Sequence, residues 1–265
     1  MRLQVTHRTL LTYEQPIAET YMELRMHPRE GAGQTLESFR LQVQPESDVR
    51  TYRDAFGNVV HYFNHVAPHD RVEVTGHSVV ATQAGVPDLD DTQFPEDFLQ
   101  FREPVDDVPG VHTIARRIEE NDVEERLDKL TEYINREFEY RPLTTDVFTA
   151  VEEVLRLRVG VCQDFAHLFI AAARAMRVPA RYVSGYIHSG VGHVGTGATH
   201  AWAEVLVPGR GWVGYDPTNP VHASDHHVRV AVGRDYRDAA PTRGTYVGAA
   251  GETMDVKVTT KVLSP

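Results

Sequence analysis

The stretch Gly160-Val161-Cys162-Gln163-Asp164-Phe165-Ala166-His167-Leu168 decides how the rest of this 265-residue chain is read. A short turn runs into an apolar segment in which Phe165, Leu168, Phe169, Ala172 and Met176 recur at helical spacing, so a buried helix over 162–177 begins at the cysteine. Cys162 is the only cysteine in the chain. A lone cysteine is most often a small buried hydrophobe. A helix start changes that reading, because unpaired N–H groups and the helix dipole favour the ionised thiol there. The run Arg156-Leu157-Arg158 just upstream is basic as well.

Two later segments supply partners. Thr199-His200-Ala201-Trp202-Ala203-Glu204 reads as a strand with His200 and Trp202 on one face, while Ala201, Ala203 and Val205 line the other. Trp212-Val213-Gly214-Tyr215-Asp216-Pro217-Thr218 follows as a second strand ending in an acid. With 14 histidines in the chain, any single one is by default a surface or packed residue. Asp216 before a proline is by default a turn initiator. Taken together, Cys162, His200 and Asp216 have the chain order of a nucleophile, its base and the acid that orients the base.

Four segments carry a family resemblance: Gly-Val-Cys-Gln-Asp-Phe-Ala-His-Leu, Val-Pro-Ala-Arg-Tyr-Val-Ser-Gly-Tyr, Thr-His-Ala-Trp-Ala-Glu-Val and Gly-Trp-Val-Gly-Tyr-Asp-Pro-Thr, in that order between residues 160 and 218. They resemble the transglutaminase-like superfamily of papain-fold cysteine enzymes, in its bacterial branch, and the flanks extend the likeness over nearly the whole chain. The resemblance implies an α+β fold with a papain-like, transglutaminase-like core and an N-terminal antiparallel β-sandwich-like domain. It also implies a Cys162–His200–Asp216 triad acting on peptide or amide bonds through a thioester, as a cysteine peptidase or amidase. Protein-glutamine transamidation and a silent peptide-binding scaffold are the alternatives. Tyr140 matches the family's upstream aromatic and is the candidate oxyanion donor, with Gln163 second. Trp202 and Asp164 are expected to line the site.

The organisation follows from local pattern. Residues 1–83 contain six strand-like segments, 2–13, 20–27, 35–44, 49–53, 59–66 and 72–82, with a turn at Asp54-Ala55-Phe56-Gly57-Asn58. Residues 84–110 are rich in proline and acid and read as a linker, yet Phe94, Phe98 and Phe101 argue that part of it docks. Residues 111–265 form the catalytic core: helices over 111–121, 123–138, 152–158 and 162–177, then strands over 181–187, 200–207, 211–215 and 228–232, then a C-terminal β-hairpin.

Composition narrows the function classes. A formal net charge of −11 lacks the basic footprint of a nucleic-acid binder. One cysteine allows no intrachain disulfide, the first residues lack the apolar run of a signal peptide, and no stretch has the roughly 18 apolar residues of a membrane span. A cytoplasmic protein with a peptide or protein substrate is expected; oligomeric state is not encoded in a readable way. His188, His193 and His200, with His167 and the His226-His227 pair, raise a metal hydrolase as a rival. No His-Glu-x-x-His, paired-cysteine or calcium-loop pattern supports it, so no metal or cofactor is expected. The glycine-rich stretch 189–197 reads as a loop and lacks the Gly-Lys-Ser/Thr ending of a phosphate loop.

Overall fold

A computed structural model describes residues 1–89, 94–118, 120, 122–188, 194 and 197–263. Most of the glycine-rich stretch, His193 with it, lies outside the described residues.

The alternating N-terminal segments form β1 (Arg2–Ile17), β2 (Glu19–Leu24), β3 (Gln34–Gln44), β4 (Arg50–Arg53), β5 (Val59–His65) and β6 (His69–Thr82). In β1 and β6 buried and open residues alternate, as the period of two requires when one sheet face meets a core. Leu11, Tyr13, Met22, Leu24, Phe63, Val72 and Val74 fill the space between the two sheets. The turn at 54–58 is held by Asp54 Oδ1, which accepts from the N–H groups of Phe56 and Asn58 at 3.0 Å each.

The second half begins with α1 (Pro109–Arg117) and α2 (Val123–Glu137). A two-residue strand β7 (Glu139–Tyr140) then pairs in parallel with β8 (Val159–Gly160) across α3 (Val151–Leu157). The central helix α4 (Cys162–Ala175) is buried on every side from Cys162 to Arg174, which is why its sequence is mostly apolar, with Gln163, Asp164, His167 and Arg174 as its buried polar residues. It packs on an antiparallel sheet of β9 (Ala180–Ile187), β10 (His200–Val207), β11 (Gly211–Asp216), β12 (Val221–His222) and β13 (His227–Gly233), in the order β12-β11-β10-β9-β13. Ala201, Ala203 and Val205 of β10 belong to the same core as α4, as the alternation in that strand anticipates.

One boundary differs from the sequence reading. The C-terminal hairpin, assigned there to the catalytic core, joins the N-terminal sandwich: after α5 (Tyr236–Ala239), β14 (Thr242–Val247) extends β2 and β15 (Glu252–Val262) extends β1. The sandwich therefore has eight strands, in the orders β15-β1-β6-β3 and β14-β2-β5-β4. The two chain ends close it, and such pairing over more than two hundred residues leaves no local trace.

Part of the segment 84–110 docks. Phe98 is buried edge-on against Trp212, with ring centroids 5.2 Å apart, while Phe94 stays exposed. Among the described residues, Asp88 enters a buried group of two acids and two arginines. Its Oδ2 accepts from Arg181 Nη2 at 2.9 Å and from Arg229 Nη1, and Glu204 Oε2 accepts from Arg181 Nε at 2.7 Å. The formal charges cancel, the condition under which burying ions is tolerated.

Candidate active site

Cys162 opens α4 and is 9% exposed. The preceding residue, Val161, has no side chain that could cap the helix, so Asp164 folds back and its Oδ2 accepts the Val161 N–H at 2.7 Å. The same oxygen accepts from Thr145 Oγ1 at 2.6 Å. Gly160 makes room: a Cβ there would lie 2.8 Å from the Cβ of Asp164. Burial pushes the Asp164 carboxyl above its usual range, against the hydrogen bonds that pull it down. Asp164 thus shapes the helix start on which the thiol sits, and its partners are a threonine and a backbone amide, with no arginine among those hydrogen bonds.

His200 is the first residue of β10 and Asp216 the last of β11, which is paired with it. His200 Nε2 lies 2.7 Å from Asp216 Oδ2, with both side chains fully buried. Burial by itself would lower the pKa of His200. The charge and hydrogen bond of Asp216 outweigh it, Cys162 adds to them, and the imidazole is raised to about 10. Asp216 is held far below the usual carboxylate range: burial works against this, and His200 followed by His227 overcomes it. The other imidazole nitrogen of His200, Nδ1, is buried and makes no hydrogen bond, and Cys162 is near enough to be among the groups that raise the imidazole.

Asp216 is saturated with donors. Oδ1 accepts the N–H groups of Thr218 (3.0 Å) and Asn219 (3.3 Å). Oδ2 accepts from Asn219 Nδ2 at 2.9 Å and from His227 Nε2 at 3.2 Å, besides His200. His200, Asp216 and His227 also make the one group of three metal-ligating side chains found close together among the described residues. Both imidazole Nε2 atoms are hydrogen-bonded to the carboxylate oxygen itself, so the donor set is that of an ion-pair relay and the hydrogen bonds already satisfy it. His188 and His226 stack on each other elsewhere, with ring centroids 6.0 Å apart.

Trp202 is packed beneath this cluster, stacked with His200 (6.1 Å between centroids) and edge-on to His227 (5.2 Å). Gly185, paired with His200 on β9, is required by this layer: a Cβ there would lie 2.2 Å from the Val228 carbonyl and 2.6 Å from the indole. Tyr140 is half-buried beside Phe165, and burial, followed by the nearness of Cys162, pushes its phenol up to about 12. Tyr182 on β9 is fully buried, and the same two causes hold its phenol well above the usual value. Both hydroxyls are protonated donors at neutral pH. Gln163 has one N–H directed elsewhere, from Nε2 to the carbonyl of Asp146 at 3.1 Å.

Tyr182 was absent from the candidates read from sequence, and His227 figured there only in the metal-hydrolase rival. Tyr182 sits in a strand buried on both faces, where a tyrosine looks like any packed aromatic. His227 carried one signal: it opens the valine-rich run Val228-Arg229-Val230-Ala231-Val232 and so begins a strand, but that strand's position in the sheet is a tertiary fact.

Comparison with known proteins agrees with this architecture. The transglutaminase-like superfamily core matches residues 112–217 and the bacterial transglutaminase-like N-terminal region matches residues 3–81. An uncharacterised protein of Mycobacterium leprae is 34% identical over 273 residues, covering 97% of each chain. One from Mycobacterium tuberculosis is 34% identical over 290 residues, covering 97% of this chain and 91% of its own. A solved structure of a candidate cysteine protease from Cytophaga hutchinsonii has the same fold, with a TM-score of 0.79 at 23% identity over 100% of this chain and 93% of that one. The chain belongs to the transglutaminase-like superfamily and carries that superfamily's bacterial N-terminal region. Among the described residues no helix is long and apolar enough to cross a membrane.

Proposed function

We propose that this protein is a thiol acyl-transfer enzyme that hydrolyses peptide or amide bonds through Cys162, His200 and Asp216. The observation that carries the reading is a buried imidazole held at 2.7 Å by a buried carboxylate, its second nitrogen without a hydrogen-bond partner, and a thiol at a helix start among the groups that raise it. An imidazole raised to about 10 is cationic at neutral pH, which matches a resting pair in which Cys162 has given its proton to His200 Nδ1.

The thiolate then adds to the substrate carbonyl carbon. The tetrahedral oxyanion needs positioned donors, for which the Cys162 N–H and the Tyr140 hydroxyl are the candidates, with the Tyr182 hydroxyl a third. Collapse breaks the C–N bond, His200 returns the proton to the leaving amine, and a thioester remains on Cys162. Water attacks the thioester, His200 takes its proton, the C–S bond breaks and the carboxylic acid leaves. Asp216 keeps the imidazole in one orientation and balances its charge throughout. Water as acceptor is favoured by the absence of a calcium-loop pattern in the sequence, and the Cytophaga hutchinsonii candidate protease supports the same class.

The test is mass spectrometry of intact protein with amide substrates, in wild type and Cys162→Ala, with and without a millimolar lysine analogue. A thioester adduct in wild type, none in the alanine variant, and an acid product unchanged by the amine are expected. Turnover by Cys162→Ala would overturn the reading, and a dominant amine adduct would replace hydrolysis by transamidation.

A further inference from the structure

His227 contacts the triad carboxylate from a strand that neither sequence order nor sheet pairing places beside it. In the sheet order β12-β11-β10-β9-β13, Asp216 ends β11 and His227 starts β13, on the far side of both β10 and β9. The return segment 217–226 brings them together, and a tight turn at its end fixes the imidazole. The Ser224 N–H donates to His227 Nδ1 at 3.1 Å, while the His227 N–H donates to the Ser224 carbonyl at 3.0 Å. Because Nδ1 accepts a hydrogen bond it carries a lone pair. The ring is then neutral, and its single N–H lies on Nε2, 3.2 Å from Asp216 Oδ2.

We propose that His227 is a positioning residue of the triad, holding Asp216 Oδ2 toward His200 so that the working unit is Cys162–His200–Asp216–His227. The inference rests on the proposed acyl-transfer chemistry. Backbone amides of residues 218 and 219 pin Oδ1, and the carboxylate can still rock about them. Donors on Oδ2 from Asn219 and His227 restrain that rocking and leave the direction of His200 as the remaining one. A neutral second imidazole does this without placing another positive charge beside the imidazolium of His200. Among the described residues, Asp216, His200 and the Trp202 edge face His227, and Glu204 and Arg229 line the small cavity of about 100 Å³ beside it. That acid and that arginine face each other within the buried charge group, so neither is a bare charge on the imidazole.

The test uses the intact chain and the rate of iodoacetamide alkylation at Cys162 as a function of pH, with thermal midpoints, in wild type, His227→Leu and His227→Gln. Loss of a hydrogen bond to a charged group predicts a roughly ten- to hundred-fold slower alkylation in the leucine variant near neutral pH. The glutamine variant places an N–H close to the position of Nε2 and should recover most of the rate. A leucine profile superimposable on wild type would overturn the proposal. So would equal losses in both variants that track lowered midpoints, because packing alone would explain them. Long-range ¹H–¹⁵N spectra of the wild type give a reading that needs no variant: an Nε2–H tautomer is expected for His227, and an Nδ1–H tautomer or an imidazolium contradicts it. Alkylation independent of His200 in otherwise normal protein would refute the acyl-transfer reading, and the tautomer then still decides whether His227 donates to Asp216.

Discussion

His200 in the catalytic sheet and His7 in the N-terminal sandwich are each 1% exposed, yet they lie on opposite sides of neutrality. His7 bonds to Tyr186 at 2.9 Å and Thr9 at 3.2 Å, both neutral groups, and burial drags its pKa down to about 4. His200 suffers the same burial, but a carboxylate at 2.7 Å reverses the outcome and raises it to about 10. His167, on the helix of Cys162 itself, falls with His7: it accepts the Tyr236 N–H at 3.1 Å and is lowered to about 3. What keeps a buried histidine protonated here is its charge partner; neither depth nor nearness to Cys162 in the chain does so.

The strongest way to break this contrast is Asp216→Asn, which keeps the shape and removes the charge. His200 should then behave as His7 does, losing its proton well below neutral pH, as read by imidazole NMR. Turnover should fall on the order of 10⁴-fold, as expected when the orienting acid of a triad becomes an amide. An imidazolium that persists to high pH in the asparagine variant would show that Asp216 is not the cause.

Asp88→Ala carries the contrast to paired charges outside the site. Among the described residues it leaves Arg181 and Arg229 buried with Glu204 as an acid partner, and breaking a buried ionic group in this way costs about 3–5 kcal/mol. The denaturation midpoint should drop accordingly, and an unchanged midpoint would mean that Asp88 contributes nothing to stability.

The two kinds of histidine also predict a stability optimum. His7 and His167 are lowered from 6.5, so the stability they support is present above that pH and is lost as pH falls toward about 4 and about 3. For His200, raised from 6.5, the contribution is present below that pH and is lost as pH rises through about 10. Urea midpoints should therefore fall on both sides, and His7→Gln should flatten the acid limb by on the order of 2–3 kcal/mol. An acid limb unchanged by His7→Gln would remove His7 from the account.

A smaller effect is expected at Gly185. An alanine there must displace the Val228 carbonyl or the Trp202 ring, for an overpacking cost of about 1–3 kcal/mol. Near-ultraviolet circular dichroism of the indole should change with it, and an unaltered spectrum at wild-type stability would show that the layer beneath the triad is loose.

Much of this was legible in the chain because it is written locally. The helix start at Cys162 follows from one apolar run, and the facing of His200 and Trp202 follows from the alternation of alanines and valine in one strand. The linker's docking followed from phenylalanines that a free segment would not carry. The unread parts are those fixed by distant pairing. The hairpin strands Thr242–Val247 and Glu252–Val262 look like any hairpin, and only their pairing with Glu19–Leu24 and Arg2–Ile17 assigns them to the sandwich. His227 reaches Asp216 through a return segment across strand ends, and Glu139–Tyr140 pairs with Val159–Gly160 in strands too short to show a period. Asp164 was readable as an acid in a first helical turn; that it folds back onto Val161 depends on the absence of a side chain at Gly160.

The central claim, that His200 controls the reactivity of Cys162, is tested most directly by the rate of iodoacetamide alkylation at Cys162 at about pH 6 in wild type and His200→Ala. The account predicts rapid modification of the wild type and a loss on the order of 10²-fold or more in the alanine variant with its fold intact. Equal rates in the two proteins would contradict it.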